Sequence, residues 1–378
     1  MEKSDSNKNI IETKELSFSY GNSDGNEGKI SRISLTIPKG KKTVFLGPNG
    51  AGKSTLFLCL NGVNRPDSGK LFFAGKEVKY DQKALSSLRE KVVLVFQNPD
   101  DQIFSATVEE DVAFGPLNLG LSRDEVERRV DEAISWVGIE SLRGRPTTDL
   151  SFGQRKRVSL AGALAMKPEV IIMDEPTAGL DNEIVHELLE LSDELNRKGL
   201  TVAMSTHDIE TAYEWADEVR ALEKGRLVFS GKTGDFFSDD ELVHRLGFLR
   251  PAPLVLDKEL ELITGKKSSP PSRSILEFSE KVLSHKGRHG KITLVPVLED
   301  GGKIPANHNR SGIYGSVARR ISKKGLLDVH YRFHAIEKAV FEARRGGDFT
   351  IFSEGILLPL IREKLLRLCP KARVETGR

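Results

Sequence analysis

The 378-residue sequence predicts an α/β fold built on a parallel sheet. Three observations carry that expectation. Short, continuous apolar runs of strand length recur at Thr43-Val44-Phe45-Leu46, at residues 92–96, at Val170-Ile171-Ile172-Met173 and at Thr201-Val202-Ala203-Met204. Such runs suit strands covered on both faces. A helix-patterned stretch, residues 182–197, separates the last two, which makes a βαβ unit, and parallel strands joined by crossover helices define the class. A second alternation of helix and strand patterns follows Lys266-Lys267-Ser268-Ser269-Pro270-Pro271-Ser272, a run too rich in Pro and Ser for a packed element and therefore read as linker.

The elements follow in order. Residues 10–20 and 30–37 read as strands joined by a polar turn region between Gly21 and Gly28. The strand 43–46 leads into a helix over 53–60, and Arg65-Pro66-Asp67-Ser68-Gly69 marks a turn. After the strand at 92–96 comes a polar, helix-rich region over 107–166. Beyond the linker the pattern gives a helix at 274–285, a strand at 292–297, a Gly-rich loop, a strand at 328–333, a helix at 335–345, a strand at 349–352 and an amphipathic helix ending near Leu368. About a hundred residues suffice for a small domain. The expected organisation is a domain over 1–245, a linker over 246–274 and an accessory α/β domain over 275–378.

The formal net charge of +2 hides an asymmetry: residues 241–378 hold 26 Lys and Arg against 15 Asp and Glu, while residues 1–240 hold 31 against 40. Two units with different surfaces are implied. The basic region reads first as a solvated surface, with acidic lipid headgroups or nucleic acid as the alternative. No apolar run approaches the roughly 20 residues that span a bilayer, and the N-terminal MEKSDSNKNI has no apolar core like that of a signal peptide. Cys59 and Cys369 form no metal-type pair, which suits a reducing cytosol.

The most specific motif is Gly47-Pro48-Asn49-Gly50-Ala51-Gly52-Lys53-Ser54-Thr55, which fits G-x-x-x-x-G-K-[ST] between a strand and a helix. Small residues let backbone N–H groups wrap a phosphate, and the helix start adds its positive dipole end. Lys53 is then placed to reach the β- and γ-phosphates and Ser54 to set a hydroxyl on Mg²⁺.

Four further segments narrow the chemistry. Asp174 ends a buried strand, where its carboxylate suits Mg²⁺, and Glu175 follows, where it can take the proton of a water attacking the γ-phosphate. The alternative is an acidic helix-start cap. Ser151 precedes a helix in Leu150-Ser151-Phe152-Gly153-Gln154, as a plain cap or as an anion-facing helix start. Gln97 follows the strand at 92–96, where an amide can ligate Mg²⁺ or orient water, and His207 ends another apolar strand, where it can hydrogen-bond a γ-phosphate. Taken alone, each of the last two is an ordinary loop residue.

Together these segments resemble the nucleotide-binding subunit of ABC transporters, over residues of about 12–245 and in the family's order. Gly47 to Thr55 matches the Walker A loop, Gln97 the Q-loop, Asp174 and Glu175 the Walker B end and catalytic base, Gly179-Leu180-Asp181 the D-loop and His207 the switch histidine. Tyr20 resembles the aromatic residue that stacks on adenine. Leu150-Ser151-Phe152-Gly153-Gln154 is similar to the LSGGQ signature, with Phe152 in place of the first Gly; Ser151 and Gly153, the contacting residues, remain. The resemblance implies a P-loop NTPase core with a helical subdomain plus a small C-terminal α/β domain. It implies ATP held by Tyr20, by Gly47, Pro48, Asn49, Gly50, Ala51, Gly52, Lys53, Ser54 and Thr55, with Ser151, Gly153, Gln154 and Asp181 completing the set across a head-to-tail dimer. Mg²⁺ falls to Ser54, Gln97 and Asp174, and catalysis to Glu175, His207 and Gln97.

Phe96-Gln97-Asn98-Pro99-Asp100-Asp101-Gln102, residues 107–116 and the signature region are similar to one subgroup, the energy-coupling-factor importers and cobalt or nickel uptake ATPases. That implies ATP-driven uptake of a transition metal ion or vitamin at the cytoplasmic face of a prokaryotic cell membrane. The partners implied are a second ATPase, self or paralogue, transmembrane coupling subunits and a substrate-binding membrane component, with no nucleic acid. Ile103, Phe104 and Val108 line a groove for a coupling helix or belong to the core. A non-transport ABC ATPase acting on nucleic acid or ribosomes is the alternative. Only about a hundred residues separate Thr55 from Ser151, too few for a long coiled-coil insert, and the chain carries one cassette. Six of the eight histidines lie at or beyond His244; His285/His289 and His330/His334 share i, i+4 spacing, which on a helix suits a metal, but no Cys or carboxylate spacing supports it.

Overall fold

The computed structural model describes residues 8–21, 29–282, 289–298, 310–323, 327, 329 and 334–377. They form two compact units. The first takes the chain as far as Leu180 and again from Lys198 to Pro251; the second takes Asp181–Arg197 and the chain from Ala252 onward.

The apolar runs of the first unit pair as expected. Its six-stranded sheet runs in the order Arg226–Lys232, Glu218–Glu223, Lys42–Leu46, Thr201–Ser205, Val170–Met173, Val92–Val95. All neighbours are parallel except the antiparallel pair at 218–232. Val170–Met173 and Thr201–Ser205 are buried at every position, as strands covered on both faces must be. A second, antiparallel sheet orders Ile30–Pro38, Asn9–Phe18, Ser68–Phe73 and Lys76–Glu77. Its Ile11, Leu16, Ile33, Ile37 and Leu71 share one apolar core with Phe45, Leu56 and Phe57.

Parallel pairing has a positional consequence: the carboxyl ends of Lys42–Leu46, Val92–Val95, Val170–Met173 and Thr201–Ser205 fall on one edge. That edge is where open α/β sheets bind ligands, and Gly47, Gln97, Asp174 and His207 all leave it.

The helix-rich region holds Val108–Asn118, Arg123–Val137 and Phe152–Ala165. Thr107 and Glu110 close the first with a capping box, Ser122 caps the second, and Gly138 ends it in the left-handed conformation that glycine tolerates.

The second unit contains a four-stranded sheet, Arg310–Tyr314, Phe349–Ser353, Lys291–Pro296, Arg373–Thr376, with every pairing parallel. Ile292, Leu294, Ile351, Ala339, Val340, Ile361 and Leu365 lie in its core. The strand Arg310–Tyr314 and the helix Ser316–Lys323 stand where the sequence suggested a Gly-rich loop. Of the expected strand at 328–333 only Val329 is described, outside any strand, and the end of the helix at 283–285 lies outside the described residues.

The helix Asn182–Arg197 belongs to this second unit. Its acidic residues are engaged there. Glu190 pairs with Arg319. Asp193 accepts from Lys364 Nζ at 2.7 Å, and Glu194 accepts from Ser316 N–H and Oγ at 3.1 and 3.2 Å.

The run Lys266 to Ser272 forms no helix or strand, yet it is pinned. Asp257, on the helix Ala252–Thr264, accepts from Ser268 Oγ (2.8 Å), Ser272 N–H (2.5 Å) and Ser272 Oγ (3.0 Å). Hydrogen bonding to one buried carboxylate supplies the order that apolar packing does not.

Candidate active site

The turn after Lys42–Leu46 has a shape that its glycines permit. Gly47, Gly50 and Gly52 have φ of 148°, 76° and 96°, and a Cβ at Gly47 would run into the Leu222 carbonyl oxygen. Gly52 then starts the helix Lys53–Leu60. The loop borders a cavity of about 560 Å³ lined by Asn49, Gly50, Ala51, Gly52, Lys53, Ser54, Thr55, Gln97, Asp174, Glu175 and His207. Lys53 is buried, and its ammonium donates to the carbonyl oxygens of Gly47 (2.7 Å) and Pro48 (3.2 Å). Burial holds its pKa below the usual lysine value, against the opposing pull of Glu175 and Asp174.

Two carboxylates face this cavity with separate supports. Asp174 N–H donates to Val95 O at 2.9 Å, which continues the strand pairing to the last residue. Ser205 Oγ donates to Asp174 Oδ1 (2.6 Å) and accepts from Glu175 N–H (2.8 Å), so one hydroxyl sets both acidic residues. Glu175 has φ of 44°, a left-handed value uncommon for a residue other than glycine. Its Oε2 lies 2.9 Å from His207 Nδ1. The histidine side chain is 70% exposed and the glutamate side chain 10%.

Ser54, Gln97 and Asp174 offer hydroxyl, amide and carboxylate oxygen. A set of hard oxygen donors beside a Gly-rich turn fits Mg²⁺ and suits a softer metal poorly.

Of the residues singled out in the sequence, the structure gathers all but seven around the cavity. Gly47 and Pro48 take part through their carbonyls. Tyr20 is 46% exposed, edge-on to Phe18 at 4.8 Å, with its hydroxyl accepting from Asn64 Nδ2 at 2.9 Å. Ser151, Gly153 and Gln154 stand at the start of the helix Phe152–Ala165 and do not line the cavity. Ser151 Oγ accepts from Gln154 N–H (3.3 Å) while Gln154 Oε1 accepts from Ser151 N–H (2.9 Å), a reciprocal capping box. Asp181 belongs to the second unit, where its carboxylate accepts from Ile184 N–H at 2.9 Å.

The groove question divides. Val108 is fully buried and belongs to the core, whereas Phe104 is 63% exposed and edge-on to the exposed Phe114 at 4.4 Å, with Leu117 also exposed. Among the described residues no cluster of three His, Cys, Asp or Glu is arranged to hold a metal, and His285, His308 and His330 lie outside them. Sequence reasoning missed Ser205, although it stands two residues before His207 at the end of a buried strand. It also missed what Phe152 touches: the ring lies 3.0 Å from where a Cβ on Gly179 would be.

Comparison with known proteins agrees with this geometry. The sequence profile described as "ABC transporter" matches residues 30–178. An energy-coupling factor transporter ATP-binding protein, EcfA2 of Methanospirillum hungatei, is 39% identical over 372 residues, covering 94% of this chain and 92% of that protein. Among solved structures, cbiO1 of Clostridium perfringens, described as part of the ABC transporter complex cbiONQ, aligns with a TM-score of 0.56 at 41% identity over 64% of this chain and 95% of that one. A dimeric ATP-binding cassette in a post-hydrolysis state with ADP and Pi aligns with a TM-score of 0.54 at 27% identity, over 59% of this chain and 99% of that one. No helix among the described residues is long and apolar enough to cross a membrane.

Proposed function

The chain belongs to the energy-coupling factor transporter ATP-binding proteins of the ABC family, and from that premise we propose that it hydrolyses ATP as the motor subunit of a membrane importer for a transition metal ion or a vitamin. The observation that carries the mechanism is the single cavity that collects the phosphate loop, Gln97, Asp174, Glu175 and His207 and leaves Ser151 and Gly153 outside it.

Triphosphate binding falls to the loop from Gly47 to Thr55. Lys53 exchanges its carbonyl partners for phosphate oxygens, a stronger, charge-assisted contact. Ser54, Gln97 and Asp174 would hold Mg²⁺, which when bound would supply charge neutralisation at the phosphates. Glu175 accepts the proton of the attacking water, and its tie to His207 Nδ1 keeps the carboxylate pointed at that edge of the sheet. Ser205 holds the Asp174 carboxylate and the Glu175 backbone N–H in register.

Ser151 and Gly153 start a helix whose N-terminus suits an anion and which, within one chain, has none of this cavity to serve. That arrangement supports a head-to-tail pair in which each chain caps the nucleotide of the other. The γ-phosphate then joins the two copies and its loss parts them. Tyr20, exposed two residues beyond the strand Asn9–Phe18, offers a ring face to adenine. Asp181 follows Leu180 into the facing copy's reach in the same reading. The exposed pair Phe104 and Phe114 offers the transmembrane subunits an apolar contact. In this reading the working chain sits at the cytoplasmic face of the membrane.

The test is the association state of Glu175→Gln by light scattering. ATP with Mg²⁺ is expected to convert monomer to dimer and ADP is not. A variant that stays monomeric at millimolar ATP removes the head-to-tail arrangement.

A further inference from the structure

Lys156 lies on the first turns of the helix Phe152–Ala165, is 8% exposed, and has all three ammonium hydrogens engaged by backbone. Nζ donates to the carbonyl oxygens of Glu175 (3.1 Å), Pro176 (3.0 Å) and Ala178 (2.8 Å). The Phe152 ring, 5.4 Å from Nζ, completes the enclosure and reaches over Gly179. Burial pushes the Lys156 pKa down to about 8, against the opposing charge of Glu175. A lysine sunk this far, aimed at three carbonyl oxygens of one short segment, is a clamp rather than a surface charge.

The clamped segment matters because of Glu175. Its left-handed φ persists only where the surroundings over-determine it. Ser205 Oγ holds its N–H and Lys156 holds its carbonyl, so both peptide groups flanking the Glu175 side chain are fixed. The same lysine stands five residues beyond Ser151 on the helix whose start that serine caps. One ammonium therefore joins the start of that helix to the backbone that aims the glutamate.

We propose that Lys156 is a positioning residue for ATP hydrolysis: it fixes the backbone of Glu175 so that the carboxylate faces the phosphate-loop cavity, and it links that setting to the helix that carries Ser151 and Gly153. The inference rests on the reading of Glu175 as the base. In the head-to-tail pair, Glu175 serves the nucleotide of its own chain and Ser151 caps that of the partner. Lys156 is then a covalent and hydrogen-bonded route within one chain between the two ATP sites, and its loss uncouples them.

The experiment compares the full chain with Lys156→Met, Lys156→Arg and Glu175→Gln, measuring ATPase rate against ATP concentration, nucleotide affinity by fluorescence and thermal unfolding. Lys156→Met is expected to lower kcat by about tenfold to a hundredfold, the range for a misplaced catalytic group. Nucleotide affinity stays within about twofold, because the phosphate loop is untouched. The Hill coefficient for ATP falls toward unity. Lys156→Arg keeps a charged multiple donor and recovers part of kcat. Wild-type kcat and cooperativity in Lys156→Met overturn the proposal, as does a loss of affinity that matches the loss of kcat. If Lys156→Met does not fold, Lys156→Arg decides: a lowered kcat with unchanged affinity and melting temperature supports the clamp, and wild-type kinetics in it together with wild-type kinetics in Lys156→Gln overturn it. Glu175→Gln separates the two ideas, since turnover by that variant removes the base assignment whatever Lys156 does.

Discussion

Glu194 and Glu354 aim their carboxylates at one helix start. Ser316 N–H and Oγ donate to Glu194, Val317 N–H donates to Glu354, and the single Ser316 hydroxyl proton is shared with Glu354, whose Oε1 lies 3.4 Å from Oγ. Glu194 is fully buried and Glu354 is 7% exposed. Burial first, and then the charge of Glu194, push the Glu354 pKa up to about 7 from an ordinary 4.5. The charges of Glu190 and Asp193 nearby are already matched by Arg319 and Lys364.

A carboxyl whose pKa is raised by folding favours the folded state most below its unfolded value and loses that contribution as pH rises through the folded value. Stability of the second unit is expected to fall between about pH 4.5 and about pH 7. Glu354→Gln keeps a neutral side chain and flattens that dependence. Calorimetric unfolding across pH checks it; an unchanged slope in the variant means Glu354 is not the titrating group.

Glu175→Gln preserves shape and removes the base. Its kcat is expected to fall by about a hundredfold or more, as for loss of a general base, with ATP affinity retained. Single-turnover hydrolysis measured beside nucleotide binding distinguishes this from a binding defect.

Lys53→Ala removes the only ammonium that lines the cavity among the described residues. Nucleotide affinity is expected to fall by at least about tenfold, the loss of one charge-assisted contact. Because Lys53 is buried against carbonyls of its own loop, the empty protein also loses a restraint there. Titration calorimetry and unfolding on the same sample report the two effects separately.

Gly179→Ala tests the Phe152 contact. At φ of 74° an alanine is strained, and its Cβ would stand 3.0 Å from Phe152 Cε1. A destabilisation of about 1–2 kcal/mol is expected from the backbone conformation alone. In Phe152→Ala the steric part disappears and the conformational part stays, so a double-mutant cycle by urea unfolding yields a non-zero coupling. Additive effects mean the ring does not press on Gly179.

Phe104→Ser and Leu117→Ser leave the phosphate loop intact and remove exposed apolar surface. The isolated chain is expected to keep its ATPase, while co-isolation with membrane subunits from detergent extracts is lost. Full recovery of those companions moves the docking surface elsewhere.

The site was legible because its chemistry lies in contiguous letters. The run from Gly47 to Thr55 and the pair Asp174 and Glu175 sit at ends of apolar strands, and parallel pairing brings those ends to one edge. The buried strands read correctly for the same reason. Glu218–Glu223 and Arg226–Lys232 did not read as strands, since Arg220 and the flanking glutamates break the apolar pattern; Arg220 is buried by bonding to Thr36 O and Glu218. Arg310–Tyr314 was hidden by Gly312 and Ser311, and Arg373–Thr376 by its charges, although both find partners in a parallel sheet. The pairing of the acids on Asn182–Arg197 was not legible, because the groups that answer them lie more than a hundred residues away.

That distance has a practical meaning for anyone who shortens or recombines this protein. Trimming at Pro251 to isolate a minimal motor strands Glu190, Asp193 and Glu194 without the Arg319, Lys364 and Ser316 that answer them. Three acids on one helix then face water or each other, directly after the segment Gly179-Leu180-Asp181. Exchanging the tail for another module calls for rewriting those same positions, so a graft of the tail has to carry the helix with it.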